Sequence, residues 1–326
     1  MSQNQISVSS PYRFGLIYDW VIVAVRYSYL AQQFGDCPEL WAKLQEFVAT
    51  GDFTLGKPLA GLGAALIFEK PSNRTRHSME MAVVQLGGHP VYTRGEEVGF
   101  DVRETVEDIT KVMGGYHGIL AARVFDHNIV RRMADSSSVP VVNMLSDRQH
   151  PLQGLADVLT MQQQLGDLVG KTVCYVGDYN NVARSLAQAS ALLGMHVRLG
   201  CPNGYAAEDG ELQALQKLGA ASVNQFDNMK DAVGGAHAVH TDVWTSMGQE
   251  SETNKREKAF ANFQVTEAVM KDAAADAIFM HCLPAHRGME VAAEVIDGPR
   301  SKVFEQAHNR MHAARGLLAF LMGVNV

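Results

Sequence analysis

The segment LGAALIFEKPSNRTRHSMEMAVVQLGG, residues 62–88, joins an apolar run, a polar loop and a stretch with helical spacing. The run LGAALI predicts a strand, and MEMAVVQL predicts a helix that packs back on it. A strand that leads directly into a helix is the repeating unit of open parallel α/β sheets. The polar residues lie between the strand and the helix, so this segment indicates both a fold class and a candidate binding site.

The rest of the chain repeats this alternation in two series. Apolar runs predict the strands, and stretches of helical period separate most of them. The first series is LGAALIFE, GHPVYT, HGILAARV and VPVVNML; the second is KTVCYVGD, MHVRLGC, AHAVHTDVW and AIFMHCLP. The sequence therefore predicts an α/β protein with two domains, each a parallel sheet flanked by helices, joined by interdomain helices.

The domain boundary is predicted at HPLQGLADVLTMQQQLG, a helical stretch in which Pro151 suits the first turn. This gives a first domain of residues 1–150 and a second of residues 151–307. The stretch NRMHAARGLLAFLMG predicts a last apolar helix, and we expect residues 308–326 to pack back on the first domain. A chain of 326 residues with 47% AVILMFWYC has enough apolar material for two cores.

Composition argues against two classes of partner. The net charge is -7, with 28 basic and 35 acidic residues spread along the chain, so no polyanion-binding surface is indicated and we expect no nucleic-acid partner. The apolar run WVIVAV, residues 20–25, is too short to span a membrane and is wrongly flanked for a cleaved signal. We therefore expect a cytoplasmic protein with no membrane partner.

The cysteines give no sign of a disulfide framework or a structural metal site. They are Cys37, Cys174, Cys201 and Cys282. They lie far apart and form no CxxC pair, and nothing indicates secretion. We therefore expect thiols and no metal.

The loop between the first strand and its helix concentrates groups that bind anions. Backbone N–H groups at a helix N-terminus lack partners within the helix, and the helix dipole is positive there. Arg74 and Arg76 add planar forks for phosphate oxygens, and Ser72 and Thr75 add hydroxyl donors. This combination favours a phosphate ester or anhydride. The structural alternative is that Ser72 only caps the helix while the arginines pair with surface acids.

Further polar residues follow other predicted strands, at the sheet edge where open α/β proteins bind ligands. They are Arg123, His150, Gln153, Asn180, Asn181, Asp242, Cys282, Leu283, Asn309 and Arg310. Each one alone has a structural explanation, such as an ion pair, a helix cap or inert packing. Only their combination indicates a shared site.

Two of these clusters indicate the second ligand, and a third argues against a nucleotide. GDYNNVARSL lacks the G-x-G-x-x-G glycines, which disfavours a nucleotide-dependent dehydrogenase. In DVWTSMGQE, Asp242 stands beside small donors, which suits the ammonium and carboxylate of an amino acid; the polar run that follows is long enough for a mobile flap. In HCLPAHRG, Pro284 requires an extended Leu283 or permits a cis bond, either of which turns the Leu283 carbonyl toward the cleft.

Taken together, the motifs SNRTR, ARV, HPLQ, GDYNN, DVWTSMGQE, HCLPAHRG and NR resemble the aspartate/ornithine carbamoyltransferase family, in this order and spacing. The resemblance runs from about Leu59 to the C-terminus. Within the family, the motifs are most similar to those of the members that use ornithine. It implies a carbamoyl-phosphate domain, an amino-acid domain and a homotrimer or a multiple of trimers. It also implies transfer of the carbamoyl group from carbamoyl phosphate to the δ-amine of L-ornithine, giving L-citrulline and phosphate without a cofactor.

The resemblance implies a role for each motif residue. The carbamoyl-phosphate ligands would be Ser72, Asn73, Arg74, Thr75, Arg123, His150, Gln153, Cys282, Leu283 and Arg310. The L-ornithine ligands would be Asn181, Asp242, Ser246 and Met247. The catalytic residues would be Arg123, His150, Cys282 and Arg310. Cys282 would orient the attacking amine rather than act as a nucleophile, because no base is evident beside it.

The chain departs from the family pattern at two positions. Asn73 replaces the usual Thr of the phosphate loop, and we expect a small effect because a polar side chain is kept. Glu97 stands where a neutral donor or His is usual, in a segment that reaches the neighbouring subunit's site. An acid near a phosphate is unfavourable, which disfavours that contact in this chain.

Two alternatives remain for the activity. Relatives acting on putrescine lack the SMG segment and those acting on N-acylornithine depart from HCLPAxRG, so the presence of both motifs favours ornithine. A non-catalytic homologue that senses an amino acid or carbamoyl phosphate is the other alternative. The intact set of predicted catalytic residues disfavours it.

Overall fold

A computed structural model describes residues 56–245 and 250–322. The elements of the first half are β1 (Gly63–Phe68), α1 (Asn73–Gln85), β2 (His89–Arg94), α2 (Gly95–Val98), α3 (Val106–Tyr116), β3 (Ile119–Arg123), α4 (His127–Ser136) and β4 (Val141–Leu145). Those of the second half are α5 (Pro151–Leu165), β5 (Thr172–Val176), α6 (Asn181–Leu192), β6 (His196–Gly200), α7 (Asp209–Leu218), β7 (Ser222–Phe226), α8 (Met229–Val233), β8 (Ala238–Thr241), a 3₁₀ helix (Glu250–Glu252), α9 (Thr253–Phe260), α10 (Glu267–Asp272), β9 (Ile278–His281), α11 (Ala293–Ile296) and α12 (Val303–Leu321).

The strands form two parallel sheets. The first has the order β2-β1-β3-β4, and the second has the order β7-β6-β5-β8-β9. Helices cover both faces, as parallel sheets require. The predicted fold class, two parallel sheets flanked by helices, is confirmed.

The opening segment folds because its pattern suits each element in turn. β1 is buried along nearly its whole length, which explains its continuous apolar run. The extended backbone of Ser72 ends the loop, and its hydroxyl accepts a hydrogen bond from the Thr75 N–H, capping α1. α1 then buries Met79, Ala82 and Val83 against the sheet.

The last helix lies against the first sheet. Leu317 and Leu318 of α12 share a buried cluster with Leu66 of β1 and Met79 of α1. The same helix contacts α5, the helix between the two sheets. α12 therefore brings residues from the end of the sequence to the place where the sheets meet.

The contact between α5 and α6 depends on a glycine. A Cβ atom at Gly154 would lie 2.9 Å from the backbone oxygen of Ser185, so a side chain there would push the helices apart. The same approach lets the His150 N–H donate to Ser185 Oγ at 2.8 Å. Gly154 thus fixes how His150 enters the space between the sheets.

Several elements differ from the predicted pattern. β7 was missed because it is an edge strand that pairs only with β6, and its residues SVNQF are at most half-buried, so they carry no apolar run. The helix α4 was also missed, because most of its residues are polar. The last helix begins at Val303, before the predicted start at Asn309. The polar run expected to form a flap is helical from Glu250 onward.

Some predictions fall on residues that the structure does not describe. They concern the apolar run 20–25 and Cys37. The described cysteines, Cys174, Cys201 and Cys282, are free thiols. Within the described ranges, no helix combines the length and the apolar character needed to cross a membrane.

Candidate active site

The predicted site residues converge where the carboxyl edges of the two sheets face each other. Arg74 of α1 donates from Nη2 to the Leu283 carbonyl, which follows β9, at 2.7 Å. Arg310 of α12 donates from Nη2 to Thr75 Oγ1 at 3.0 Å. These two contacts join the phosphate loop to the second sheet and to the last helix.

Thr75 is the hub of the phosphate loop and is fully buried. Its Oγ1 accepts hydrogen bonds from Arg123 Nη1 at 3.3 Å, Arg310 Nη2 at 3.0 Å and the Ser72 hydroxyl at 3.2 Å. Arg123 is fixed further by its Nε, which donates to the Lys70 carbonyl at 3.1 Å. The hydroxyl of Thr75 therefore sets the positions of two guanidinium groups.

The cations around Thr75 destabilise one another. Burial, the Arg310 charge and the Arg74 charge lower the pKa of Arg123. Burial lowers the pKa of Arg310, and the Arg74 charge contributes in the same direction. A dianion bound among these side chains would relieve both effects.

The other residues of the loop play different parts. Arg76 is exposed, pairs with Glu80 at 2.8 Å and lies over the Tyr92 ring at 3.8 Å. The surface ion-pair alternative therefore describes Arg76, whereas Arg74 reaches across to Leu283. Asn73 is exposed at the start of α1, so the replacement of the usual Thr changes no buried contact.

His150 is buried at the start of α5 beside the arginine cluster. Burial lowers the pKa of its imidazole well below the usual value, and the charges of Arg310 and Arg123 lower it further. Its Nδ1 has no hydrogen-bond partner among the described residues. The ring is therefore neutral at ordinary pH and keeps hydrogen-bonding capacity for a ligand.

Hydrogen bonds between buried side chains orient Gln153. The Gln153 Oε1 accepts from Arg310 Nη1, and its Nε2 donates to Asp157 Oδ1, both at 2.7 Å. Gln306 Nε2 also donates to Asp157 Oδ1 at 2.7 Å, while Gln306 Oε1 accepts from the His281 N–H at 2.9 Å. Asp157 thus fixes which end of the Gln153 amide faces the site and connects that amide to β9.

The sequence left two alternatives for Leu283, an extended backbone or a cis bond to Pro284, and the structure shows the cis bond. The φ of Leu283 is 56°, in the left-handed region that a Leu side chain disfavours, so the residue itself is not extended. The expected orientation of the carbonyl is met, since that oxygen faces Arg74.

A second polar group follows β8 and β9. Cys282 Sγ donates to Asp242 Oδ1 at 3.0 Å, and Asn180 Nδ2 donates to Asp242 Oδ2 at 2.9 Å. Burial, then the Asp242 charge, raises the pKa of the Cys282 thiol well above its usual value. Cys282 is therefore a neutral thiol, which fits an orienting group better than a nucleophile.

The remaining predicted amino-acid ligands are less well placed. Asn181 donates from Nδ2 to the Ser146 carbonyl at 2.7 Å, which ties the start of α6 to the first domain. Ser246 and Met247 lie outside the described residues. A polar cleft of about 940 Å³ opens beside Asn180 and Asn181, with Lys70 and Arg256 on its walls. The cleft leads to the site without including the arginine cluster.

Among the described residues, one set of side chains is compact enough to hold a metal ion. It comprises Asp242, His281 and Cys282, whose candidate ligand atoms lie within 4.8 Å of one another. The Cys282 thiol already donates to Asp242, and His281 Nδ1 accepts from the Leu283 N–H at 2.8 Å. These hydrogen bonds account for the cluster by themselves.

The sequence analysis did not identify several residues that shape the site. Asp157, Gln306, His281 and Glu290 are buried polar residues that contact site residues or each other. For Asn180 the sequence left open a ligand contact or a helix cap; its Oδ1 does cap α6, and its Nδ2 also donates to Asp242. The i, i+4 spacing of Gln153 and Asp157 was the one signal available from sequence.

Glu97 is engaged within its own chain. Its carboxylate pairs with Arg94 at 3.2 Å, and its backbone carbonyl accepts from Arg103 Nη1 at 3.0 Å. Two guanidinium groups therefore lie beside the acid that departs from the family pattern.

Comparisons with known proteins identify the family of both halves of the chain. The family model described as the carbamoyl-P binding domain of aspartate/ornithine carbamoyltransferase matches residues 38–163. The model described as the Asp/Orn binding domain of the same family matches residues 169–321. The match thus begins before Leu59, where the sequence resemblance was expected to start.

Individual relatives are similar over most of their length. The ornithine carbamoyltransferase of Thermus thermophilus is 47% identical over 267 residues, covering 82% of this chain and 87% of that protein. A Thermus thermophilus ornithine carbamoyltransferase crystal structure superposes with a TM-score of 0.78 at 42% identity, over 87% of this chain and 93% of that one. The Pyrococcus furiosus enzyme structure superposes with a TM-score of 0.81 at 39% identity, over 95% of both chains.

Proposed function

The chain belongs to the aspartate/ornithine carbamoyltransferase family and is a carbamoyltransferase, and on that premise we propose that it transfers the carbamoyl group of carbamoyl phosphate to the δ-amine of L-ornithine. The products are L-citrulline and phosphate. The first domain, residues 1–150 with residues 308–326 packed on it, binds carbamoyl phosphate. The second, residues 151–307, binds ornithine.

One observation supports this proposal most strongly. Arg123 and Arg310 converge on Thr75 Oγ1, and Arg74 is close enough for its charge to lower the pKa of both. Buried like charges are costly, and a bound anion would compensate them. Their position at a helix N-terminus suits the phosphate of carbamoyl phosphate, with Ser72, Asn73, Arg74 and Thr75 as its ligands.

The second substrate is bound by groups of the opposite kind. Asp242 supplies a buried carboxylate for the α-ammonium of ornithine, and Asn181 supplies an amide for its carboxylate. Ser246 and Met247 are proposed to complete this pocket. Cys282 and the Leu283 carbonyl then orient the δ-amine and the carbamoyl NH₂ group between the two pockets.

The transfer is proposed to proceed by direct attack. The neutral δ-amine adds to the carbamoyl carbon, giving a tetrahedral intermediate whose oxyanion accepts hydrogen bonds from Arg123, Arg310, Thr75 and His150. Gln153 holds the carbamoyl NH₂ through its Oε1. Collapse breaks the C–O bond to phosphate, which leaves into the arginine cluster and takes up the proton that the amine nitrogen loses.

The proposal predicts a pH dependence. The δ-amine has a pKa of roughly 10.4 in water, so only a small neutral fraction can attack at neutral pH. His150 is already neutral and adds no titration of its own in this range. We expect kcat/KM for ornithine to rise between about pH 6 and pH 9. A flat profile, with chemistry shown to limit the rate, would contradict a required amine deprotonation.

The assembly and location are also proposals. We propose a homotrimer or a multiple of trimers in the cytoplasm, with no cofactor, by analogy with the family. Light scattering on the purified protein tests the trimer: a mass other than a multiple of three chains would contradict it.

The decisive experiment offers carbamoyl phosphate with L-ornithine, putrescine, N-acetyl-L-ornithine and L-aspartate in parallel. Ureido-product formation confined to L-ornithine supports both pockets together. Turnover of another amine would reassign the second pocket. Tight carbamoyl-phosphate binding without turnover of any amine would favour a sensor.

A further inference from the structure

Two buried side chains next to the site, those of His281 and Glu290, have no role in the proposed reaction. His281, the last residue of β9, lies with its Nε2 3.2 Å from Glu290 Oε1, and both side chains are fully buried. A buried carboxylate is costly unless its oxygens are well paired. His281 comes directly before Cys282 and Leu283, so the pair is placed to fix the backbone of these two residues.

The hydrogen bonds of His281 determine its tautomer. The Leu283 N–H donates to His281 Nδ1 at 2.8 Å, so this ring nitrogen carries no hydrogen. The single hydrogen of the neutral ring must then be on Nε2, where it donates to Glu290. Protonation of Nδ1 would remove the acceptor that the Leu283 N–H needs.

Glu290 also holds the far end of the same segment. Its Oε1 accepts a hydrogen bond from the His286 N–H at 2.5 Å as well as from His281. One carboxylate oxygen therefore brackets residues 281–286. The other oxygen, Oε2, has no hydrogen-bond partner among the described residues and lies 3.9 Å from the half-exposed His286 ring.

The backbone between His281 and His286 is strained at Leu283. Leu283 has a φ of 56°, which an unsupported Leu disfavours, so the surrounding contacts must impose it. In this conformation the Leu283 N–H faces His281 and its carbonyl oxygen faces Arg74 Nη2 at 2.7 Å. Releasing the N–H would let the peptide rotate and withdraw the carbonyl from the cleft.

We propose that Glu290 and His281 form a positioning pair that sets the His281 tautomer and thereby holds the Leu283 carbonyl at the carbamoyl site. Neither residue touches substrate. The catalytic meaning of the pair rests on the proposed function, in which that carbonyl orients the two nitrogen groups. The pair itself is a property of the free protein.

The first test compares Glu290→Gln with Glu290→Met. The Gln carbonyl oxygen can replace Oε1 and accept from both His281 and His286, whereas Met has a similar size and only a weakly accepting thioether sulfur. We expect Glu290→Gln to keep kcat within about threefold and Glu290→Met to lower it by about 10²-fold, as for an ångström-scale misplacement. Inorganic phosphate affinity should be unchanged in Glu290→Gln, because that variant keeps the Leu283 carbonyl in place as the acceptor for Arg74.

Two outcomes overturn the proposal. One is a folded Glu290→Met variant with the wild-type kcat. The other is an equal loss in both variants, because that would make the charge, rather than the acceptor, the important feature. Circular dichroism and thermal melting establish that each variant is folded before kinetics are compared.

A second measurement needs no active or folded Glu290 variant. Two-bond ¹H–¹⁵N spectra of ¹⁵N-histidine-labelled wild-type protein report each ring tautomer, and His281→Asn assigns the signal. We expect the Nε2–H form, because the Leu283 N–H occupies Nδ1 and Glu290 lies at Nε2. An imidazolium or an Nδ1–H form overturns the pair. If the wild type makes no citrulline, the proposed function fails while this spectrum still decides on the pair.

Discussion

The two ends of the candidate active site are built from opposite charges. At the phosphate end, the guanidinium groups of Arg123 and Arg310 meet at the buried Thr75 hydroxyl, and burial together with the Arg74 charge lowers the pKa of both. At the amine end, the Asp242 carboxylate accepts from Cys282 and Asn180. Each end suits one substrate, and the carbamoyl group would be transferred where they meet.

The two ends also differ in how fully their polar and charged groups are paired without substrate. Asp242 has a hydrogen-bond donor on each carboxylate oxygen. The cations at the phosphate end repel each other, and the nearby His150 Nδ1 has no partner among the described residues. The phosphate end should therefore gain more from its ligand, and damage to it should cost more.

The largest expected effect follows from removing one guanidinium at the phosphate end. Arg310→Met deletes the donors to Thr75 and Gln153. Loss of one preorganised donor lowers rates by about 10²–10³-fold, and we expect the upper end because this donor is charged. Steady-state kcat/KM for carbamoyl phosphate measures it.

The matched control is Arg198→Met, which removes a half-buried guanidinium that donates to the Gly234 carbonyl on the far side of the second sheet. It should leave kcat/KM within about twofold of wild type, as expected for a change that touches no substrate. Equal losses in the two variants would show that Arg310 acts through general stability.

A smaller effect is expected at the amine end. Asp242→Asn keeps the shape and removes the charge proposed to bind the α-ammonium. A hydrogen bond to a charged group is worth about 1.5–3 kcal/mol, so kcat/KM for ornithine should fall by about 10²-fold. Inorganic phosphate affinity, measured by calorimetry, should not change.

Asp297→Asn is the control for this change, since Asp297 is an exposed carboxylate paired with Arg287. If Asp242→Asn weakens phosphate binding as strongly as ornithine use, the two ends are not separable. The comparison between them would then be wrong.

The sequence predicted the phosphate end better than the amine end. Strand-to-helix alternation with apolar runs is a strong signal, so eight of the nine strands in the described part of the chain were predicted and β7, an edge strand with no apolar run, was missed there. The loop proposed to bind phosphate was noticed because Ser72, Arg74 and Thr75 are neighbours in sequence. Local density of one chemistry is visible without a structure.

Contacts across long sequence separations could not be predicted. Asp157 accepts from Gln306, which lies 149 residues later in α12, and Asn180 donates to Asp242, 62 residues later. A buried Asp or Glu looks like any surface acid in the sequence, since only tertiary packing makes it buried. Leu283 shows the same limit for backbone, because its left-handed conformation is imposed by partners that the X-Pro rule ignores.

A further prediction concerns the pH dependence of stability at the phosphate end. Because the pKa of His150 is lowered in the folded state, the unfolded chain takes up its proton first, near pH 6.5. The folded state therefore loses stability as the pH falls below about 6.5, by at most about 1.4 kcal/mol per pH unit for this group. Above that pH its contribution is constant.

Urea unfolding at several pH values, compared between wild type and His150→Gln, isolates this contribution. His312→Asn serves as the control, since burial lowers the pKa of His312 to about 4 away from the arginine cluster. Saturating phosphate should reduce the His150 slope, because the anion screens the arginine charges that face it. Identical slopes in wild type and His150→Gln would remove His150 from the cationic cluster.

The smallest expected effect decides whether Ser72 belongs to the phosphate end or only to the helix. Ser72→Ala removes the cap of α1 and should lower the free energy of unfolding by about 1 kcal/mol. Ser72→Asn restores a capping oxygen and with it the stability, but its larger amide crowds the position proposed for phosphate. We expect phosphate affinity to be weakened in both variants and stability in the first alone. Wild-type phosphate affinity in both would make Ser72 a cap and nothing more, and binding at this end would then rest on the arginines and Thr75.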